Sequence, residues 1–166
     1  TSGQKKYHSK VFDSFGEIEI RAIHALNDTT IWFAANHGVF GHTKDGGKYW
    51  RVDSIFIENT YPDFRSISVI NDSTVMVLSA GSPAYLLKTT DRGDNWSLVY
   101  CDDQPNIFFD NMLFSDANNG IAVGDPIKNK FQIIYTNDQG ERWKTVNTLR
   151  IPVAIEGEAC FAASNS

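Results

Sequence analysis

The octapeptide Thr43-Lys44-Asp45-Gly46-Gly47-Lys48-Tyr49-Trp50 decides the fold of this chain, because its pattern returns twice. The pattern is Thr-x-Asp-x-Gly-x-x-Trp, and it recurs at Thr89–Trp96 and at Thr136–Trp143. The first threonines of successive copies are 46 and 47 residues apart. A nearly constant spacing of this size indicates an internal repeat, in which each copy is one supersecondary unit with the period of a propeller blade.

Each copy is predicted to be a tight turn between two strands, because an Asp carboxylate can accept hydrogen bonds from the backbone N–H groups that follow it. A glycine two positions later can adopt the positive φ that closes such a turn. The Trp is expected to return under the turn as an apolar plug. We therefore assign structural roles to Asp45, Gly47, Trp50, Asp91, Gly93, Trp96, Asp138, Gly140 and Trp143.

Apolar runs and turn residues around the three copies predict an all-β chain with four antiparallel strands in each repeat. In the third repeat, for example, strands are expected at Phe109–Phe114, Gly120–Val123, Phe131–Thr136 and Trp143–Val146. The chain divides into an outer strand in residues 1–16, blades at 17–56, 57–101 and 102–147, and the start of a fourth blade at 148–166.

The turn motif resembles the Asp box of the bacterial neuraminidase (BNR) repeat propellers. Further stretches resemble the photosystem II stability/assembly factor-like group of BNR propellers: Phe64-Arg65-Ser66-Ile67, Phe108-Phe109-Asp110-Asn111-Met112, Gly120–Pro126 and Gly157–Ala162. This resemblance implies a seven-bladed propeller, of which about three and a half N-terminal blades are present. In photosynthetic members it implies a protein-binding role in assembly through an Arg-rich face. Here acids take the place of Arg at the third and fourth matching positions.

Up-and-down blades sort their loops onto two faces. The Asp boxes and the turns between the first two strands share one face, and the longer connections between blades share the other, which we call the long-loop face. Binding residues concentrate in such loops. The residues expected near its central channel are therefore the candidates for binding a protein or a small anionic ligand: Arg21, Arg65, Asp110, Asp125 and Glu158.

Several alternatives to a binding site remain at this rim. A solvated network of ion pairs would explain the same charges. A glycoside hydrolase, sialidase-like in fold, would use two carboxylates, with Asp110 and Glu158 as candidates. A redox enzyme is the least favoured reading, because no redox cysteine motif or phosphate-binding loop is present. Asp110, Asp125 and Glu158 could also gather around a hard cation, but no looped metal motif is seen, and neither a metal nor a cofactor is expected.

The composition limits the kinds of partner that the chain is expected to bind. The net charge of −5 argues against nucleic acid, which requires a clustered basic face. No apolar run reaches the roughly 18 residues of a spanning helix. Asp-box propellers resemble exported proteins and the sequence begins at Thr1, so we expect a periplasmic or extracellular bacterial protein.

The number of repeats also predicts whether the chain can form a closed ring. Propellers are generally closed rings of about four to eight blades. Three blades and an inner strand cannot close, so we expect the chain to be about half of a longer protein, with Tyr7–Phe12 as the outer strand of a final blade. Unpaired edges at both ends are expected to promote edge-to-edge self-association.

Overall fold

The computed structural model describes residues 18–160 and the backbone of residues 6–8 and 10–11. Three antiparallel sheets follow one another along the chain, and each contains one copy of the repeat. The predicted all-β class is confirmed. Within the described residues, the helical structure consists of a single 3-10 turn at Thr148–Arg150.

The strands of each blade run in sequence order from one edge of the sheet to the other. The first blade contains β3 (Ile20–Ala25), β4 (Ile31–Ala35), β5 (Val39–Thr43) and β6 (Arg51–Ser54). The second contains β7 (Asp63–Val69), β8 (Val75–Ala80), β9 (Ala84–Thr89) and β10 (Asn95–Asp102). The third contains β11 (Phe109–Phe114), β12 (Gly120–Ile127), β13 (Lys130–Thr136) and β14 (Lys144–Thr145).

One strand of the third blade is longer than predicted. The sequence predicts that β12 ends at Val123 and that a turn begins at Asp125. The strand instead continues to Ile127, because a register shift between Gly124 and Pro126 lets the ladder with β13 resume beyond Asp125. A proline is tolerated at such an irregularity, where no ladder hydrogen bond is required of it.

The N-terminal stretch lies on outer blade edges. Lys6–His8 (β1) pairs with β10, and Lys10–Val11 (β2) pairs with β6, so this stretch adds a fifth strand to each of the first two sheets. The sequence predicts instead that this stretch pairs with a final blade. The pairing differs because the edges of β6 and β10 offer backbone groups that a neighbouring strand can satisfy. Ser9 and residues 12–17 lie outside the described residues, and a role in a final blade stays a prediction.

The predicted start of a fourth blade is described only in part. Residues 157–160 form no strand, and Phe161–Ala163, where its first strand is predicted, lie outside the described residues. The connection before them is held to the third blade, because Ala154 N–H donates to Asn129 O at 2.9 Å.

The Asp boxes have the predicted turn geometry. In every copy the Thr hydroxyl donates to the Asp carboxylate, at 2.8, 2.8 and 2.9 Å, and accepts from the N–H of the Gly, at 3.0, 2.9 and 3.0 Å. The same carboxylate oxygen accepts the N–H two residues after the Gly. The three glycines have φ of +90°, +85° and +77°. Side chain and backbone thus close each turn together.

The predicted Trp plug forms in two copies out of three. Trp96 and Trp143 are buried, and Trp96 packs edge-on against Phe40 of the first blade with ring centroids 5.0 Å apart. Trp50 packs against Phe33 but remains partly exposed. It lies on the face of the first blade that no other described blade covers.

Equivalent rows of cross-strand neighbours lie on one face of each described blade. The rows are His24–Trp32–His42–Arg51, Ser68–Met76–Lys88–Ser97 and Leu113–Ile121–Tyr135–Lys144. The first two rows are covered by the Asp box of the following blade. A Cβ on Gly93 would lie 2.8 Å from the Phe40 ring, and one on Gly140 would meet the Met76 side chain. The turn motif therefore also joins the blades.

Both predicted faces are present. The backbone N–H groups of Gly46, Arg92 and Gln139, within the Asp boxes, donate to Thr29 O, Ser73 O and Asn118 O in the turns between the first two strands of their blades. On the opposite face, turns between the second and third strands bond to the connections between blades. Gly38 N–H donates to Pro62 O, and Ser82 Oγ donates to Gln104 O.

Candidate functional site

The rim candidates on the three innermost strands share one backbone feature. Arg21, Arg65 and Asp110 each occupy a register shift near the start of their strand, between Ile20 and Ala22, Phe64 and Ser66, and Phe109 and Asn111. Asp125 occupies the shift in β12. A bulge re-aims the side chain of its extra residue, and such bulges are common beside functional sites. Four of the five predicted site residues are thus placed at β-bulges.

Arg21 reaches toward the second blade. Its guanidinium pairs with Glu19 at 2.5 Å, and its Nε lies 3.9 Å from Asp63 Oδ1. Both partners are partly exposed, so solvent weakens these contacts. Arg21 is therefore a half-solvated charge at the edge of the rim.

Arg65 makes the corresponding contact with the third blade. Its guanidinium carbon lies 5.1 Å from the centroid of the Phe108 ring, a cation–π arrangement. Phe108 stands two residues before the bulged Asp110, just as Asp63 stands two residues before the bulged Arg65. Arg65 Nε is buried and has no hydrogen-bond partner.

Asp110 is the most deeply buried rim candidate, with 5% of its surface exposed. Burial, together with the neighbouring Asp125 charge, raises the pKa of its carboxyl to about 6, and the Arg65 guanidinium opposes that rise. Its Oδ2 is buried without a hydrogen-bond partner. The side chain therefore changes charge close to neutral pH.

Asp125 is tied to the connection that leaves the third blade. Its Oδ1 accepts the Cys160 N–H at 2.7 Å, and its own N–H donates to Phe108 O at 2.8 Å. Gly124 permits this close approach, because a Cβ there would lie 2.2 Å from Phe108 O. Burial and the charges of Asp110 and Asp125 raise the pKa of the Cys160 thiol.

Glu158 is placed differently from the other candidates. It opens no strand, and its Oε2 accepts the Ile155 N–H at 2.7 Å within the same loop. Across residues 18–160, no group of three His, Cys, Asp or Glu side chains is arranged to hold a metal ion. The cation site considered for Asp110, Asp125 and Glu158 is therefore not assembled in the described part of the chain.

The Asp-box carboxylates lie on the other face and hold turns, as predicted. The Tyr49 N–H hydrogen bond is the main cause that lowers the pKa of Asp45, and the Arg142 N–H has the same effect on Asp138. These carboxylates stay ionised and accept hydrogen bonds from backbone N–H groups, which suits a structural role.

Three sheets of four-stranded repeats, joined through Asp boxes, define a partial Asp-box β-propeller. The model of the family described as photosynthesis system II assembly factor YCF48 matches residues 16–144, and the chain belongs to that family. A search of curated proteins found no match.

Solved structures agree with the fold. A structure described as "YCF48 bound to D1 peptide" matches at 19% identity with a TM-score of 0.61, covering 84% of this chain and 42% of that one. YCF48 from Cyanidioschyzon merolae matches at 20% identity with a TM-score of 0.58, covering 85% and 44%. The chain thus spans less than half the length of either structure. Among the described residues, no helix is long and apolar enough to cross a membrane.

Proposed function

We propose that this protein is a non-catalytic propeller of the assembly-factor type that binds a protein through its long-loop face and channel rim. The observation that carries the proposal is the set of bulges that aim Arg21, Arg65, Asp110 and Asp125 from neighbouring blades. Charged side chains fixed on a rigid scaffold give orientation and specificity to a protein contact.

Family membership supports a protein partner. One relative of the same fold has been solved with a D1 peptide bound. In this chain acids replace Arg at two rim positions, which favours a partner surface of mixed charge over a purely acidic one. A small anionic ligand would use Arg21 and Arg65 in the same way, since Arg suits carboxylate and phosphate groups.

The test is co-purification of a partner with the tagged protein and with a variant carrying Arg21→Gln and Arg65→Gln. The variant is expected to release the partner at lower salt, because ionic contacts at a rim are screened. A matched control carries Arg92→Gln and Arg142→Gln, which remove the same charge from exposed positions on the Asp-box face. Equal retention by both variants would contradict the proposal.

A glycoside hydrolase is the second candidate. The raised pKa of Asp110 is the feature that favours it, because a general acid must hold its proton near the working pH. Glu158, the carboxylate predicted to act with Asp110, accepts the Ile155 N–H within its own loop instead. Turnover of an aryl glycoside that is abolished by Asp110→Asn would favour this candidate over the binding role.

A further inference from the structure

A cavity of about 150 Å³ lies where the outer part of the second blade meets Glu141 of the third. This volume is well above the roughly 10–15 Å³ that holds one water molecule. Lys88 is buried beside the cavity, but Asp91, Asn95 and Ser97 are partly exposed, and the Glu141 side chain is 54% exposed. A group of several atoms can therefore enter the cavity from solvent.

The repeats explain why the cavity is present. Ser97 directly follows the Trp of the second Asp box, and the same position holds Arg51 in the first repeat and Lys144 in the third. Val99, another lining residue, stands where the first repeat has Asp53. We attribute the cavity to the short side chain of Ser97, at a position where the other two repeats have a long basic one.

The junction between the first and second blades shows which group occupies this position there. The Arg51 guanidinium lies 2.7 Å from Asp53 and 2.5 Å from Asp94 of the next Asp box. Asp94 corresponds to Glu141, because each directly follows the Gly of its box. A junction of this type therefore accommodates a guanidinium group between carboxylates.

The charges that line the cavity favour a cation. Lys88 Nζ lies 2.5 Å from Glu141 Oε1, so these two charges offset each other. Asp91 is the further carboxylate in the lining, and its described hydrogen-bond partners, Thr89 and Asn95, are neutral. The net charge of the described lining is thus negative, which attracts a monovalent cation and repels an anion.

The third repeat supplies cations at the corresponding positions. Arg142 and Lys144 stand where the second repeat has Asn95 and Ser97. The Arg142 N–H hydrogen bond does most to lower the pKa of Asp138, and the charges of Arg142 and Lys144 lower it further. In the second repeat both positions are neutral, so a cation there has to come from another molecule.

We propose that this cavity binds the guanidinium group of an arginine side chain presented by a protein partner. The guanidinium would donate to the Glu141 carboxylate, to Asp91 Oδ2 and to Ser97 Oγ. Its planar fork carries five N–H donors and is less strongly hydrated than an ammonium group, so it suits several acceptors on separate elements. The cavity lies beside the Asp boxes, away from the long-loop face, and the inference therefore goes beyond the proposed function.

The experiment follows the side-chain amide resonance of Asn95 by NMR in the 166-residue chain. The probes are the N-acetyl amides of arginine, of lysine and of citrulline, which is the uncharged isostere of arginine. We expect a saturable shift with the arginine probe and binding of the other two about five-fold weaker or more, because each loses charge or hydrogen bonds. The Arg51 Nε–Hε resonance is the internal control and should not move, since Asp53 and Asp94 already hold that group.

Free arginine distinguishes the two sources of the group. A protein's arginine is expected to bind through its side chain alone, so free arginine should bind no more tightly than the capped probe. Tighter binding of free arginine would overturn the assignment to a protein partner.

Variants test the cavity itself. Ser97→Gln fills it with a neutral side chain and is expected to abolish the shift, and Glu141→Gln is expected to weaken binding about five-fold or more. Asp94→Asn is the matched control, because it removes the corresponding carboxylate at the first junction and should leave binding unchanged. If Glu141→Gln fails to fold, Ser97→Gln and the three probes decide. Equal binding of the arginine and citrulline probes, or an undiminished shift in Ser97→Gln, would overturn the inference.

Discussion

Lys88 Nζ lies 2.5 Å from Glu141 Oε1 and 2.8 Å from the Gln139 carbonyl oxygen, so a lysine of the second blade ends on the Asp box of the third. Arg51 of the first blade meets Asp94 of the second in the same way, also at 2.5 Å. Asp94 and Glu141 are the residues that follow the Gly of their Asp boxes. The repeat therefore places one charged contact at each described blade junction.

Removal of Glu141 is predicted to destabilise the fold more than removal of Asp94. Only 6% of the Lys88 surface is exposed, so Glu141→Ala leaves a buried ammonium with a single carbonyl partner, at a cost of roughly 1–3 kcal/mol. Asp94→Ala should cost less, because Arg51 keeps its 2.7 Å pair with Asp53. Urea unfolding of both variants measures the difference.

Lys88→Met supplies the matched control for that prediction. This substitution removes the buried ammonium, so Glu141 no longer has a buried charge to neutralise. Replacement of a buried ion pair by an apolar side chain often changes the free energy of unfolding very little. We expect Lys88→Met to be closer to wild type than Glu141→Ala. The reverse order would show that the ion pair itself stabilises the junction.

A second prediction concerns the glycines of the Asp boxes. Gly93→Ala is expected to lower the free energy of unfolding by about 2–5 kcal/mol. The alanine would have to adopt an unfavourable positive φ, and its Cβ would clash with the Phe40 ring. Gly47→Ala has the same backbone strain, but its Cβ would lie 3.6 Å from the Trp50 ring, an ordinary contact. It should cost only about 1–2 kcal/mol. Thermal unfolding compares the two, and equal losses would show that blade packing does not constrain Gly93.

The sequence predicts the turns and faces because both depend on local chemistry. Thr, Asp and Gly at fixed offsets close a turn wherever they occur, and alternating strand direction then sorts the loops onto two faces. Arg21, Arg65 and Asp110 could be named as rim residues for the same reason, since each stands near the start of an innermost strand.

The contacts that shape the site depend on register between strands and blades, which the sequence does not display. Nothing in the string Phe64-Arg65-Ser66 announces a bulge. The Phe108 ring over Arg65 and the Cys160 N–H on Asp125 join residues at least 35 positions apart. Gly124 carried a signal in principle, because a glycine before the bulged Asp125 suggests a close approach of two backbones.

The third prediction is a pH dependence set by Asp110. Its pKa in the folded protein, about 6, lies above its ordinary value, so the folded state binds the proton more tightly than the unfolded state. This group therefore lowers stability as pH rises from about 4 to 6, and the loss persists above 6. Asp110→Asn is expected to stabilise the protein at pH 7.5, by about 1–2 kcal/mol, and to have little effect at pH 4.

Asp116 provides a control of opposite sign. Hydrogen bonds from the Asn119 side chain and from the N–H groups of Asn118 and Asn119 lower the pKa of its carboxyl. Its stabilising contribution is therefore present at neutral pH and disappears in acid. Asp116→Asn should destabilise at pH 7.5 and approach wild type near pH 3. Parallel pH profiles for the two variants would contradict the assignment at Asp110.

The last prediction concerns the uncovered row of the third blade. Leu113, Ile121 and Tyr135 occupy the positions that Ser68, Met76 and Lys88 hold in the second blade, where the next Asp box covers them. Leu113 is 61% exposed, and its neighbours in the row are exposed with it. A contiguous apolar sheet face of this kind favours association.

We predict that the 166-residue chain self-associates through this face and that Leu113→Glu with Ile121→Glu shifts it toward monomer in light scattering. Leu149→Glu is the control, because Leu149 is 91% exposed but lies in the connection after the third blade. A wild-type chain that already scatters as a compact 18.6 kDa monomer would contradict the prediction, as would equal effects of the two sets of substitutions.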